Sequence, residues 1–188
     1  MTAPRVVLGI AGASGAALGL STLRQLTRLG AEVDLVATNA AQRTLAAECG
    51  AGAWDEIRTL ATRVHDVANI GAAIASGSVP VAGMIVAPCS MRSLAAIAHG
   101  LDDSLLIRAA GVQLKERRRL ILLAREAPLT LAHLRNMTAV TEMGAIVLPP
   151  VPAFYLNPSS VSEIVNQIAA RAIDLLAISP PLAREWSE

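Results

Sequence analysis

Arg5-Val-Val-Leu-Gly-Ile-Ala-Gly-Ala-Ser-Gly15 is the stretch that decides the fold. Val6, Val7, Leu8 and Ile10 form an apolar run without alternation, the pattern of a strand buried on both faces of a parallel sheet. The run enters a turn where Gly12 and Gly15 allow tight turning and close backbone approach to a ligand, and a helix-forming stretch follows. A helix starting there aims its first N–H groups and its positive dipole end at the turn, so phosphate is its natural guest. Ser14 adds a hydroxyl at the mouth. Glycines at 9, 12 and 15 do not match the G-x-G-x-x-G dinucleotide fingerprint, and no Gly-Lys-Ser/Thr follows to make a Walker loop. Taken alone, the turn also reads as a plain strand-to-helix connection that uses glycine for geometry.

Outward from this segment, apolar runs and helix-like stretches alternate between short punctuated turns. That predicts an α/β fold: a doubly wound parallel sheet in a Rossmann- or flavodoxin-like three-layer sandwich. One domain is expected over 1–188, with a C-terminal helix and tail from about 160. The pattern predicts strands over 6–10, 33–37, 84–88, 120–124 and 146–148, and helices over 15–29, from Ala40, and over 91–99, 105–114 and 129–143. Residues 51–80 read as irregular, and a long irregular stretch in a compact domain is usually functional. Ser160-x-x-Glu163 predicts a capping box for the last helix, whose apolar stripe is Val161, Ile164, Val165, Ile168, Ala172, Leu175 and Leu176. Ligands of open parallel sheets sit beyond the carboxyl ends of the strands. The polar residues after each strand are therefore the candidate site: Gly12, Ala13 and Ser14, then Thr38, Ser90, Arg125 with Glu126, and Tyr155.

Composition narrows the class. A net charge of +1 and a charged fraction of 16% provide no broad field for nucleic acid or an anionic membrane surface. Hydrophobic residues reach 53%, yet glycine, proline or charge breaks every apolar run short of the roughly 18–20 residues of a membrane span. The surplus apolar surface predicts packing against sister subunits in a homo-oligomer. The chain enters its first strand without a basic leader or signal-like segment, which predicts a cytoplasmic location. Cys49 and Cys89 lack metal-ligand spacing and are too few for a disulfide framework, so both are expected as buried thiols. Phe154 and Tyr155, the only Phe and Tyr, are adjacent after Pro149-Pro-Val-Pro-Ala153. They read either as anchors of a proline-stiffened loop or as part of the site.

The landmarks Gly12-Ala-Ser-Gly15, Thr38 with Glu48, Ser76-Gly-Ser78, Pro88-Cys-Ser90, Arg108-Ala-Ala, Leu114-Lys-Glu-Arg-Arg118, Arg125-Glu-Ala-Pro-Leu129 and Pro149 to Tyr155, in this order, cover nearly the whole chain. Together they resemble the UbiX/Pad1 flavin prenyltransferases of the flavin-containing decarboxylase-like superfamily. The resemblance implies that FMN is bound and that its reduced form is prenylated by dimethylallyl monophosphate, without a metal, to make the cofactor of UbiD-type decarboxylases. It also implies a dodecamer. Its flavin contacts would be Gly12, Ala13, Ser14, Thr38, Ser90, Met91, Arg92, Ser93 and Arg125. Lys115, Tyr155 and Arg171 would hold the prenyl phosphate with Arg108 in support. Glu126 would take or relay the proton lost at the ring, and Ser14, Lys115 and Tyr155 would complete the catalytic set. Trp186 stands where some members have an aromatic lid. Ala11 and Leu18 depart from the family's usual polar residues, whereas Thr38 and Arg92 keep their donors. Two other readings stay open: a flavin-dependent cysteine-type decarboxylase, against which no Pro-x-Met-Asn motif occurs, and a non-catalytic accessory subunit of a decarboxylase.

The chemistry suits these residue types. A leaving phosphate with an allyl cation forming behind it needs charge stabilisation at both ends. Arg offers a planar fork, Lys a point charge, and Tyr a hydrogen bond and a π face. Each residue has a plainer reading as well. Lys115 to Arg119 also make a solvated helix end, Arg171 a snorkelling shoulder of the apolar stripe, and Glu126 an ion-pair partner. His65-Asp66 reads as a surface pair outside catalysis.

Overall fold

At the end of β1 (Arg5–Ile10) the chain turns through Gly15 at φ +101°, a left-handed conformation costly to any residue with a Cβ, and α1 (Ala16–Arg28) starts at the next residue. The computed structural model describes residues 3–186; residues 1, 2, 187 and 188 of the expected domain lie outside the described residues. The first helix stops at Gly30, φ +73°, where the Ala31 N–H donates back to the Leu26 carbonyl at 3.1 Å, a Schellman closure. There follow β2 (Glu32–Ala37), α2 (Asn39–Cys49), α3 (Ala53–Leu60), β3 (Arg63–His65), β4 (Gly83–Cys89), α4 (Met91–Ala98) and α5 (Leu105–Lys115). The chain ends with β5 (Arg119–Ala124), α6 (Leu131–Glu142), β6 (Ile146–Val147), a 3-10 turn Phe154–Leu156 and α7 (Val161–Asp174).

The six strands pair in parallel in the order β3-β2-β1-β4-β5-β6. Strands β1, β2, β4 and β5 are buried almost throughout, which explains their unbroken apolar sequences. One face packs Val6, Leu8, Val33, Leu35, Ile85 and Ile121 against α1, α2, α3 and α7. The other packs Val7, Val36, Met84, Val86, Leu120 and Leu122 against α4, α5 and α6. The order reverses between β1 and β4, where the Ala11 N–H donates to the Pro88 carbonyl at 3.1 Å. The two turns leaving these strands therefore share the crevice where open α/β sheets bind ligands. Gly19 seats α1 on β4, since a Cβ there would stand 2.5 Å from the Ala87 carbonyl oxygen.

Three expectations change. Residues 51–80 are not wholly irregular: they hold α3 and the edge strand β3, so the sheet has six strands where five were expected. β3 is only three residues long and two of them are exposed, so it carries no apolar run to read. Val161, assigned to the apolar stripe of α7, is 76% exposed, because burial along that helix starts further on: Ile164 and Val165 are partly buried and Ile168 is the first buried residue. The capping box is half made: Ser160 accepts from the Glu163 N–H at 3.2 Å, but the Glu163 carboxylate accepts from the N–H and hydroxyl of Ser159 at 2.9 and 2.6 Å. A complete box opens α6 instead, between Thr130 and His133. No described helix is long and apolar enough to cross a membrane.

Candidate active site

The turn after β1 carries the backbone donors that its sequence predicts, divided between two uses. The N–H groups of Gly12, Ala13 and Ser14 have no partner among the described residues and remain open to a ligand. Those of Gly15 and Ala16 both donate to one Glu48 carboxylate oxygen at 2.8 Å. The positive end of α1 is thus met by a built-in carboxylate rather than left for phosphate, and only the turn in front of it stays free. Burial alone would raise the Glu48 carboxyl. Hydrogen bonds from the Ser14 hydroxyl and the Ala16 and Gly15 amides, with the charge of Arg125, outweigh it and hold the group below the ordinary carboxylate range. Glu48 is the residue that the sequence reading noted without giving it a role. It lies 33 positions from Gly15, and only the packing of α2 beside the turn brings them together.

Arg125, at the end of β5, donates from Nε to the Ser14 carbonyl at 2.9 Å, while its own N–H donates to the Cys89 carbonyl at 3.1 Å. It closes the crevice from the β4–β5 side. Gly12 is packed directly on α2: a Cβ would stand 2.3 Å from the Ala40 Cβ. Thr38 and Ser90 cap α2 and α4, accepting from the Ala41 and Ser93 N–H groups at 3.1 and 3.2 Å. Ser90 also donates to the Ser93 hydroxyl at 3.0 Å. Met91 and Ser93 are buried, and the Arg92 guanidinium pairs with Asp103. Ala11 and Leu18 are buried apolar residues beneath the turn. Glu126 is exposed and accepts from its neighbour's N–H, Ala127, at 3.2 Å.

The residues proposed for the phosphate fall into two groups within one chain. Tyr155 and Arg171 line a cavity of about 440 Å³ with Val151, Ile168, Asp174 and Glu185. Neither the phenol nor the guanidinium has a polar partner among the described residues, and Arg171 is exposed, so it carries no core-shoulder penalty. Trp186 meets Tyr155 edge to face, with ring centroids 5.1 Å apart. Lys115 instead pairs with Glu116 at the far end of α5. Arg108 pairs with Asp102 at 2.8 Å and donates to the Ala75 carbonyl at 3.3 Å. His65 bonds the buried Asp34 at 2.8 Å, not Asp66, whose carboxylate instead caps the Ala68 N–H at 2.9 Å. The Cys89 thiol is buried and pushed up to about 12 by burial; Cys49 is partly buried and also raised. Among the described residues no group of three or more His, Cys, Asp or Glu is placed to hold a metal ion.

Residues 1–173 match the Flavoprotein family model. A flavin prenyltransferase UbiX of Neisseria meningitidis serogroup B is 51% identical over 182 residues, covering 97% of this chain and 96% of the relative. The crystal structure of AnUbiX (PadA1) in complex with FMN and dimethylallyl pyrophosphate superposes with a TM-score of 0.95 at 43% identity, covering 100% of this chain and 99% of that one. A dodecameric FMN-dependent UbiX-like decarboxylase from Escherichia coli O157:H7 gives 0.93 at 41% identity, covering 98% and 100%. With open backbone amides at the switch point of its sheet and this likeness over nearly its full length, the chain belongs to the Flavoprotein family and, within it, to the UbiX flavin prenyltransferases.

Proposed function

We propose that the protein joins the dimethylallyl group of dimethylallyl monophosphate to reduced FMN, releasing phosphate and making the prenylated flavin used by UbiD-type decarboxylases. The observation that carries the reading is the cavity shared by Tyr155 and Arg171. A phenol and a guanidinium from separate segments line it with all their donors free, and about 440 Å³ is ample for a five-carbon phosphate ester. The crevice residues fit FMN: three open amides in a side-chain-poor turn stand beside the Ser90 cap and the Arg125 clamp, which belong to the neighbouring strand ends. When bound, reduced FMN supplies the nucleophilic ring positions.

The chain's own residues then divide the work. Arg171 and Tyr155 hold and neutralise the leaving phosphate, and the Tyr155 ring faces the positive charge that forms on the allyl group. Glu48 keeps Ser14 and Arg125 in register by binding the start of α1 and opposing the arginine's charge. Glu126, exposed at the rim, receives the proton lost as the ring closes. Lys115 and Arg108 add their charges from a neighbouring subunit of a dodecamer, because within one chain they lie on α5 with other partners. Anaerobic incubation with FMN, a reductant and dimethylallyl monophosphate is expected to yield a flavin heavier by one dimethylallyl unit. Unchanged flavin refutes the reading, and parallel incubation with the pyrophosphate shows which donor is preferred. Carbon dioxide released from a cysteinyl substrate would favour the decarboxylase reading instead.

A further inference from the structure

The segment 182–184 is tied to α7 by two of that helix's side chains. The Asp174 carboxylate accepts from the Leu182 and Ala183 N–H groups at 2.6 and 3.1 Å, one oxygen each. The Gln167 amide donates to the Arg184 carbonyl at 2.9 Å and accepts from the Arg184 N–H at 3.1 Å. The backbone of three consecutive residues is therefore gripped by four hydrogen bonds. Gln167, Arg171 and Asp174 are spaced i, i+4 and i+7, so they share one helix face, with the arginine between the two clasping residues. The segment crosses that face and supplies Pro181, Ala183, Arg184 and Glu185 to the wall of the Tyr155–Arg171 cavity. Its other side borders a second cavity of about 450 Å³, lined by Arg28, Leu156 and Ile164. The two cavities share Ala153, Gln167 and Arg184 in their walls. Two residues beyond the clasp, Trp186 lands on the ring of Tyr155 at an interplanar angle of 72°.

We propose that Gln167 and Asp174 are positioning residues: they pin the C-terminal segment across α7 so that Trp186 fixes the ring of Tyr155 beside Arg171. This rests on the prenyl-phosphate reading of that cavity. Tyr155 sits on a single 3-10 turn, is half exposed and has no hydrogen-bond partner among the described residues, and Trp186 is the aromatic ring that packs against it. Trp186 in turn hangs from the clasp. The bonds to Gln167 and Asp174 are made by the segment's backbone, so they fix its register on α7.

The test uses the assembled full-length protein. Hydrogen exchange read by mass spectrometry is expected to show protected Leu182, Ala183 and Arg184 amides in the wild type and free exchange in the Gln167→Ala/Asp174→Ala variant. The same variant is expected to raise the KM for dimethylallyl monophosphate about fivefold, the cost of ordering two aromatic side chains anew on each binding event. Its kcat and FMN affinity stay at wild-type values. Asp174→Asn, which keeps one acceptor oxygen, should fall between the two. If the double variant does not assemble, Gln167→Ala alone, which removes both bonds to Arg184, is read in the same way. Unchanged exchange overturns the clasp. Freed amides with an unchanged KM overturn the positioning role. A wild type with protected amides that never prenylates flavin overturns the reaction reading and, with it, the positioning role, while leaving the clasp itself standing.

Discussion

Asp34 shows how a single residue can work in the fold without touching the site. Its carboxylate is fully buried on β2, held by Arg5 at 2.6 and 3.0 Å and by His65 at 2.8 Å. Burial alone would raise this carboxyl, but the hydrogen bonds and charges of Arg5 and His65 outweigh it and keep the group below its ordinary value. Because the folded value is lower than the unfolded one, the contribution is complete above the usual carboxylate range near pH ~4 and is lost as pH falls through the folded value. Urea titrations should therefore find Asp34→Asn less stable than wild type at pH 7, with the gap closing in acid. Arg5→Met leaves the buried carboxylate short of its main partner and should cost about 3 kcal/mol at neutral pH. Glu48 makes a different prediction. Glu48→Gln keeps the acceptor oxygen but loses the charge that faces the α1 dipole and Arg125, so stability should fall by only about 0.5–1 kcal/mol. Prenylation should fall far more, at least tenfold in kcat/KM, which separates a role at the site from a role in folding.

Among the elements, α1 and α6 contrast in how they are held. α1 lies so close to β4 that Gly19→Ala brings a methyl to 2.5 Å from the Ala87 carbonyl oxygen. Helix propensity would favour alanine by about 1 kcal/mol, whereas overpacking costs about 1–3 kcal/mol and moves the helix whose start frames the flavin turn. The clash should win, lowering the denaturation midpoint and weakening FMN binding in a fluorescence titration. α6 buries only Val140 fully and leaves Leu131 and Leu134 exposed, so its ends matter more to it than its face. Thr130→Ala removes the hydroxyl that accepts from the His133 N–H and should cost about 1 kcal/mol without changing flavin affinity.

For the molecule as a whole, the separation of its cations is the main consequence. Tyr155 and Arg171 line one cavity, while Lys115 and Arg108 are engaged elsewhere on the same chain. The proposed site between subunits would account for both groups, and the exposed apolar side chains of Leu131, Leu134, Val151, Phe154 and Val161 offer surface for such contacts. Lys115→Ala and Arg171→Ala proteins, each inactive alone, should regain part of the activity when dissociated, mixed and reassembled, because some sites then draw both cations from intact partners. Recovery absent from mixtures that reassemble to the wild-type sedimentation would overturn the shared site. Sedimentation of Leu131→Glu/Leu134→Glu should show smaller species with activity lost in proportion.

The parallel α/β fold was legible in the sequence because strands buried on both faces need unbroken apolar runs, and the turns between them need glycine, proline or a capping hydroxyl at set places. Val6 to Ile10, Thr38 and Ser90 each carried such a signal, and so did the Arg125-Glu126 strand end. The edge strand β3 carried none, since a three-residue exposed strand has no core to face. The roles of the candidate residues depended on distances that periodicity does not contain. Glu48 reaches the start of α1 across 33 positions, and Gln167 and Asp174 reach a segment that returns along their helix. The linear chain thus determined which elements form and which strand ends carry polar groups. Only tertiary packing decided which of those groups meet, because hydrogen bonds and charges act over a few ångströms between residues far apart in sequence.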